Sequence, residues 1–452
     1  MKIPVRPPPI DELINVVVRT DLEPNAFQLV FQGGHGPAPH GKYYHWDRFR
    51  HIETPAGLTP EQYWLAVKLA RRQLYRPFSL RDGEGEPFQF ALPPLALEML
   101  HYVDRHASGI IGAPAQVTNP ATQATYLLKS IAEESIRSSQ LEGASTTRRV
   151  AKDMILEGRT PRTRSERMIM NNFAAMQRVR QIRNEPLTPD LVLAIQATLT
   201  NGTLDVPDGA GRLRRADEDI HVEDETGTTL HIPPRAEELP ARMKALCRFA
   251  NGEDTQEFIH PVVRAILVHF WLAYDHPFVD GNGRTARALF YWSMAHEGYW
   301  LAEYVSISRI LKRARAQYAR SFLHTETDEN DATYFLLYQL QVLKRAIRDL
   351  HAYLDRKASE IHDAELLMRR SSTLRGMLNH RQLDLLTHAL KNPYTTYTIE
   401  PHRRAHQVAY GTARNDLLDL ARHRLLRKAK RGRAFAFVAP DDLRVRLSGA
   451  AR

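Results

Sequence analysis

The chain has 452 residues, 43% hydrophobic and 25% charged, with a formal net charge of +10. This is the composition of a soluble globular protein with room for two or three domains and ample cores. One cysteine, Cys247, excludes an internal disulfide, and neither a signal-peptide core within Met1 to Pro9 nor a membrane-length apolar stretch is present, so a reducing cytoplasm and no membrane partner are expected.

Residues 1–110 begin Pro- and Gly-rich, show a helical pattern around Pro60 to Leu74, and carry no motif that converts into chemistry. From Asn119 to Leu141, an N-cap residue, Pro120 and apolar residues at helical spacing (Leu127, Leu128, Ile131, Ile136) predict one helix that Gly143 closes. Ile220-His221-Val222 and Leu230-His231-Ile232 alternate apolar and polar residues about a turn at Thr226-Gly227, the pattern of a β-hairpin. His260 to Tyr274 is apolar almost all round, with Pro261 suited to a first helical position, and reads as a buried helix. Helical spacing resumes from Arg284 to His296, with Gly298 as its stop, and Thr333 to Arg369 reads as a long amphipathic helix. No long internal repeat interrupts this order.

Between the two central helices lies the most informative stretch, His276 to Arg287. Gly281-Asn282-Gly283 stands at a helix N-terminus, where unpaired N–H groups and the positive end of the dipole favour a phosphate. The two glycines let that backbone approach the anion. Arg284 and Arg287, three apart, share a helix face and suit phosphate oxygens. Asp280 suits a hard ligand for Mg²⁺ bridging the same phosphates. His276 is the loop's group able to take a proton near neutral pH, as activation of a hydroxyl requires.

The C-terminal segment has its own order. Asn379 to Leu390 reads as a helix, Tyr397-Thr398-Ile399 as a short strand, Pro401 to Val408 and Thr412 to Arg422 as two more helices, and Arg433 to Val438 as a strand after a basic turn at Lys428 to Arg433. This is the winged-helix pattern, in which the third helix enters the major groove and a basic wing meets phosphates. Arg414 and Asn415 suit those roles, whereas Asp416 and Asp419 on the same helix suit protein docking instead. Both readings stay open.

The whole string from His276 to Arg287 resembles the Fic family signature HxFx(D/E)GNGRxxR at every fixed position. The resemblance implies a mainly α fold, a Fic-type helical core with a β-hairpin flap, and transfer of AMP from ATP to a hydroxyl side chain of a target protein with release of pyrophosphate. It implies that His276 deprotonates the target hydroxyl, that Asp280 holds Mg²⁺, and that Asn282 with the amides of Gly281 and Gly283 cradles the α- and β-phosphates. Arg284 and Arg287 would hold the β- and γ-phosphates, Phe278 would anchor the loop, and Tyr318 would stand near the adenine. Gly283 separates the chain from the related Doc toxins, which phosphorylate and carry Lys there. Upstream, Ser138-Ser139-Gln140-Leu141-Glu142-Gly143 resembles the family's (S/T)xxxE(G/N) inhibitory motif, which implies that Glu142 pairs with Arg287 while Ser138 fixes the helix. A reverse reaction, removing AMP with Glu142 positioning water, and a homodimer are in keeping with the family.

The chain then divides into an N-terminal Fic-associated segment at 1–110, a Fic domain at 111–370 with its inhibitory helix at about 120–142 and flap at about 219–233, and a winged-helix domain at 371–452. A reading from another class makes it a DNA-binding regulator whose Fic domain serves as a nucleotide-sensing or docking scaffold.

Overall fold

Helices dominate the architecture, joined by three small antiparallel sheets, in a computed structural model that describes residues 1–19, 26–108, 120–253, 257–369, 377–392, 395–431 and 434–447. Two compact units interleave along the chain. One comprises Met1–Ala107, Ala174–Ala302 and Ile307–Arg345, the other Ser108–Phe173, Glu303–Ser306 and Ala346–Arg452. None of the described helices is long and apolar enough to cross a membrane.

The first unit is built on the helix Pro261–Asp275, which the sequence placed within one residue at each end. His260 caps it by accepting from the Val262 N–H, and every residue from Ala265 to Leu272 is buried, as an all-round apolar helix requires. It packs against Asn282–His296 and Leu239–Ala250. The hairpin Arg76–Arg81 with Pro87–Phe90 brings Phe78 to 5.6 Å from Phe249 and Phe88 to 5.3 Å from Phe270, ring centre to ring centre. The N-terminal residues therefore complete the core around the central helix, a contribution the sequence did not disclose.

The predicted helix at Pro60 to Leu74 runs Pro60–Arg72, started by a reciprocal capping box between Thr59 and Gln62. Its Lys68 donates to Asp328 at 2.8 Å with both side chains fully buried, and Arg71 donates to the Tyr334 hydroxyl at 2.7 Å. Tyr43 and Tyr75 both donate to Asp331. Buried charges are tolerable here because each is answered by an opposite charge or a hydrogen bond.

In the second unit, Pro120–Leu141 is the helix predicted from 119 to 141, with Asn119 outside the described residues. Gly143 follows at φ 94°, a left-handed position suited to glycine after a helix. Arg148–Glu157 packs against this helix. At the C-terminal end, His380–Lys391, Ile399–His406 and Tyr410–Arg422 surround a three-stranded sheet ordered Thr396–Tyr397, Ala434–Val438, Arg427–Arg431. Leu386, Leu417, Leu420 and Phe437 fill its core.

Two local readings are corrected. Ile399 opens a helix rather than ending a strand, because burying it against Leu417 and its neighbours places it on the core face of Ile399–His406. The basic stretch Arg427–Arg431 is a strand paired in register with Ala434–Val438, not a turn. As a charged edge strand it lacks the apolar alternation by which strands are read. Gly432 and Arg433 lie outside the described residues.

Candidate active site

Within the stretch His276 to Arg287, residues His276 to Gly281 form a loop between two buried helices of the first unit and Asn282 to Arg287 open the second of them. His276 ends Pro261–Asp275 in the left-handed region, φ 43° and ψ 55°, its N–H donating to the Leu272 carbonyl. Its Nδ1 lies 3.3 Å from the Ala273 carbonyl. A carbonyl only accepts, so this contact suits the Nδ1–H tautomer, in which Nε2 carries the lone pair.

Asn282 holds the loop closed, donating from Nδ2 to the Phe278 carbonyl at 2.8 Å and accepting at Oδ1 from the Phe278 N–H at 2.9 Å. Phe278 is fully buried, as an anchor should be. Gly281 sits at φ 88°, and a Cβ there would stand 2.9 Å from the Thr200 Cγ2, so only glycine fits. The next helix begins at Asn282, so Gly283 and Arg284 belong to its first turn, whose N–H groups have no partner within the helix.

Asp280 and Arg284 form an ion pair of 3.0 Å, the guanidinium fully buried and the carboxylate half exposed. Arg284 also donates to the Leu199 carbonyl, and its Nε is buried without a hydrogen-bond partner among the described residues. The Asp280 carboxylate further accepts from the Gly281 N–H at 2.5 Å. A half-exposed carboxylate at this place could supply one oxygen ligand to Mg²⁺. Among the described residues, no group of three or more His, Cys, Asp or Glu is placed to hold a metal alone.

Arg287, one turn on, is buried. Burial, with the Arg287 charge adding to it, pushes the His269 imidazole down to about 3. Tyr318 shares a 2.8 Å hydrogen bond with His269 Nε2 and meets Phe322 edge to face at 5.3 Å. The geometry thus gives Tyr318 packing and hydrogen-bonding contacts within the unit.

Three positioning residues escaped the sequence reading. Buried Gln196 donates to the Asp280 carbonyl at 3.0 Å and accepts from the Gly211 N–H at 2.6 Å, tying the loop to the helix Pro189–Thr200. Arg214 donates from Nε to the His276 carbonyl at 3.0 Å and from Nη2 to the Pro234 carbonyl, while its backbone N–H meets the Pro277 carbonyl. Gln196 had a signal, a polar residue on an apolar helix face, whereas Arg214 looks like one more surface charge in Arg212-Leu213-Arg214-Arg215.

The third is His231 of the flap. The hairpin is shorter than expected, Val222–Glu223 pairing with Thr229–His231 about a turn in which Gly227 has φ 76°. His231 Nε2 reaches the Tyr274 carbonyl at 2.7 Å and Nδ1 reaches Glu326 at 2.7 Å. Both partners accept, so the ring donates from both nitrogens as an imidazolium. Burial, the largest effect, works against that charge, but the Glu326 carboxylate, the Tyr274 carbonyl and Asp275 together outweigh it and raise the pKa.

Ser138, Glu142 and Gly143 belong to the second unit. Ser138 is buried there, and Glu142 follows the last helical turn, its N–H meeting the Ser139 carbonyl at 3.2 Å. Cys247 is a buried core thiol, pushed up by burial to about 12.

Residues 186–294 match the model of the Fic/DOC family. A 59-residue stretch is 48% identical to the protein adenylyltransferase Fic of Nematostella vectensis, covering 13% of this chain and 14% of that protein. A 69-residue stretch is 44% identical to the protein adenylyltransferase Fic of Drosophila melanogaster, covering 15% of this chain and 14% of that one. The chain is thus matched to 14% of the length of these curated relatives. Among solved structures, a Fic family protein from Desulfovibrio desulfuricans G20 aligns over 77% of this chain and 96% of its own at 20% identity, with a TM-score of 0.48.

Proposed function

We propose that this Fic domain protein transfers AMP from ATP to a Ser, Thr or Tyr hydroxyl of a target protein. The observation that carries the reading is the complete His276 to Arg287 string, folded so that a basic imidazole nitrogen and an anion-favouring helix N-terminus share one braced loop.

In the proposed reaction, the target oxygen attacks the α-phosphorus and gives its proton to His276 Nε2, while the bond to the bridging oxygen breaks and pyrophosphate leaves. The backbone N–H groups of Asn282 and Gly283 receive phosphate oxygens, joined by the Gly281 N–H where it leaves the Asp280 carboxylate for the ligand, with the Asn282 side chain kept for bracing. Arg284 and Arg287 answer the β- and γ-phosphates, which requires Arg284 to share its guanidinium between Asp280 and the ligand. Asp280 would hold Mg²⁺, which supplies charge neutralisation on the phosphates when bound. Tyr318 would stand beside the adenine. The flap would present the target segment by backbone pairing.

The Ser138 to Gly143 motif supports self-inhibition, with Glu142 taking the Arg287 guanidinium that the γ-phosphate needs. The resting protein is then armed but largely off. Removal of AMP by the reverse reaction and homodimer formation stay within the same proposal. The C-terminal helices and sheet are proposed as a winged-helix domain following the Fic domain of 111–370 and the N-terminal segment of 1–110, and a reducing cytoplasm as the setting for the single thiol.

Mass spectrometry of a cell lysate treated with the Glu142→Gly protein, ATP and Mg²⁺ tests the substrate class. A mass gain of AMP on a hydroxyl residue of a target peptide is expected. Absence of any such peptide, with the protein folded, rejects it.

A further inference from the structure

Most of the chain's excess charge sits at its C-terminal end: residues 379–447 hold fourteen Lys and Arg against six Asp and Glu, of a total net charge of +10. The helix Tyr410–Arg422 sorts its residues by face. Ala413, Asp416, Leu417 and Leu420 are buried, while Tyr410, Arg414, Asn415 and Arg422 are exposed. Asp416, which in sequence argued against an anionic partner, is turned inward. It accepts from Arg381 at 2.6 Å, Asn379 at 2.8 Å and His402 at 3.1 Å, and against the cost of burial these bonds hold it far below the usual carboxylate range. Asp419 is paired with Arg422 at 3.0 Å. Beside this helix runs the exposed edge strand with Arg427 and Lys428. An Arg-Asn helix face next to a basic strand fits duplex DNA, with the helix at base edges and the strand at phosphates.

The same module bears directly on the helix Pro120–Leu141, which Glu142 follows, and both belong to the second unit. Ile399–His406 packs against Pro120–Leu141 and Arg148–Glu157. His402 and His406, one turn apart with ring centres 4.7 Å apart, face in two directions. His402 holds Asp416 of the exposed helix, and His406 Nδ1 meets the Thr125 hydroxyl at 3.1 Å, both buried. Lys129, one turn beyond Thr125, pairs with Asp384 at 3.4 Å. A helix is stiff over this length, so a shift imposed near Thr125 is carried to its far end.

We propose that duplex DNA binds on Tyr410–Arg422 and Arg427–Arg431, and that its binding is transmitted through His402 and His406 to the inhibitory helix. The coupling rests on the reading of Glu142 as the brake; the DNA site does not.

The test uses the full chain and a labelled random-sequence 30-base-pair duplex. Fluorescence anisotropy should show binding that weakens at least about tenfold between 50 and 200 mM salt, as release of counterions from a few phosphates requires, and Arg414→Glu should abolish it. Saturating duplex should change amide hydrogen exchange across 120–141. His406→Gln should keep binding and lose that change, and Thr125→Val removes the same contact from the other side should His406→Gln fail to fold. No binding at 50 mM salt, or binding indifferent to Arg414→Glu, overturns the DNA site and leaves the face to a protein partner. Unchanged exchange at saturation overturns the coupling. Neither readout uses AMP transfer, so an inactive Glu142→Gly protein would remove the catalytic reading without touching these results.

Discussion

Asn282 grips Phe278 with both ends of its amide, Nδ2 on the carbonyl at 2.8 Å and Oδ1 on the N–H at 2.9 Å. The pair closes the loop between His276 and the next helix, and both residues are buried. Asn282→Ala leaves a buried N–H and a carbonyl unanswered and should cost about 2 kcal/mol. Denaturant unfolding should show this, and AMP transfer should fall more steeply than nucleotide binding. Unchanged stability would mean that the loop is held by other contacts.

Gly281→Ala meets two costs, a left-handed backbone and a Cβ 2.9 Å from the Thr200 Cγ2. The backbone alone is worth roughly 1 to 2 kcal/mol. Thr200→Ser removes the methyl, so the double variant should recover the steric part only. Full recovery in thermal unfolding would show that φ carries no penalty there.

The flap should respond to pH. Against burial, the largest effect, Glu326 with the Tyr274 carbonyl and Asp275 raises the folded pKa of His231. Its stabilisation is therefore complete below the unfolded value near 6.5 and is lost as pH rises through the folded value. Amide exchange at 222–231, corrected for its intrinsic rate, should report easier opening from pH 6.5 to 9. His231→Gln should flatten that dependence; a wild-type profile already flat would rule out the imidazolium clamp.

Acid should act in the opposite sense on three other histidines of the first unit. Burial, the leading cause in each, pushes His45 down to about 4 and His269 and His324 to about 3. The unfolded chain binds protons below about 6.5 that the folded chain refuses, so stability present above that value is lost as pH falls. Each contributes up to roughly 1.4 kcal/mol per pH unit across that window. Unfolding midpoints between pH 6.5 and 5 should fall, and less steeply for His324→Phe; equal slopes would contradict this assignment.

The legible parts of the chain were those where local chemistry decides the structure. The helix Pro261–Asp275 was marked by Pro261 and an unbroken apolar run, and the turn by Gly281, whose left-handed backbone other residues adopt only at a cost. The sheet Arg76–Arg81 with Pro87–Phe90 was not legible, because its aromatics are placed by Phe249, Phe270 and Trp271, more than 150 residues away. Arg214 and His231 were equally silent: their importance lies in carbonyls presented by His276 and Tyr274, and backbone acceptors leave no mark on a sequence. The strand Arg427–Arg431 was hidden by its charge.

The most direct measurement of AMP transfer at the His276 loop compares ATP labelled at the α-phosphate with ATP labelled at the γ-phosphate. Each is incubated with Mg²⁺, a lysate and the wild-type, Glu142→Gly or Glu142→Gly/His276→Ala protein. The account predicts protein-bound label from the α-position alone, strong with Glu142→Gly, weak with wild type and absent with the double variant. Label arriving from the γ-position, or none from either position with a folded Glu142→Gly protein, contradicts it.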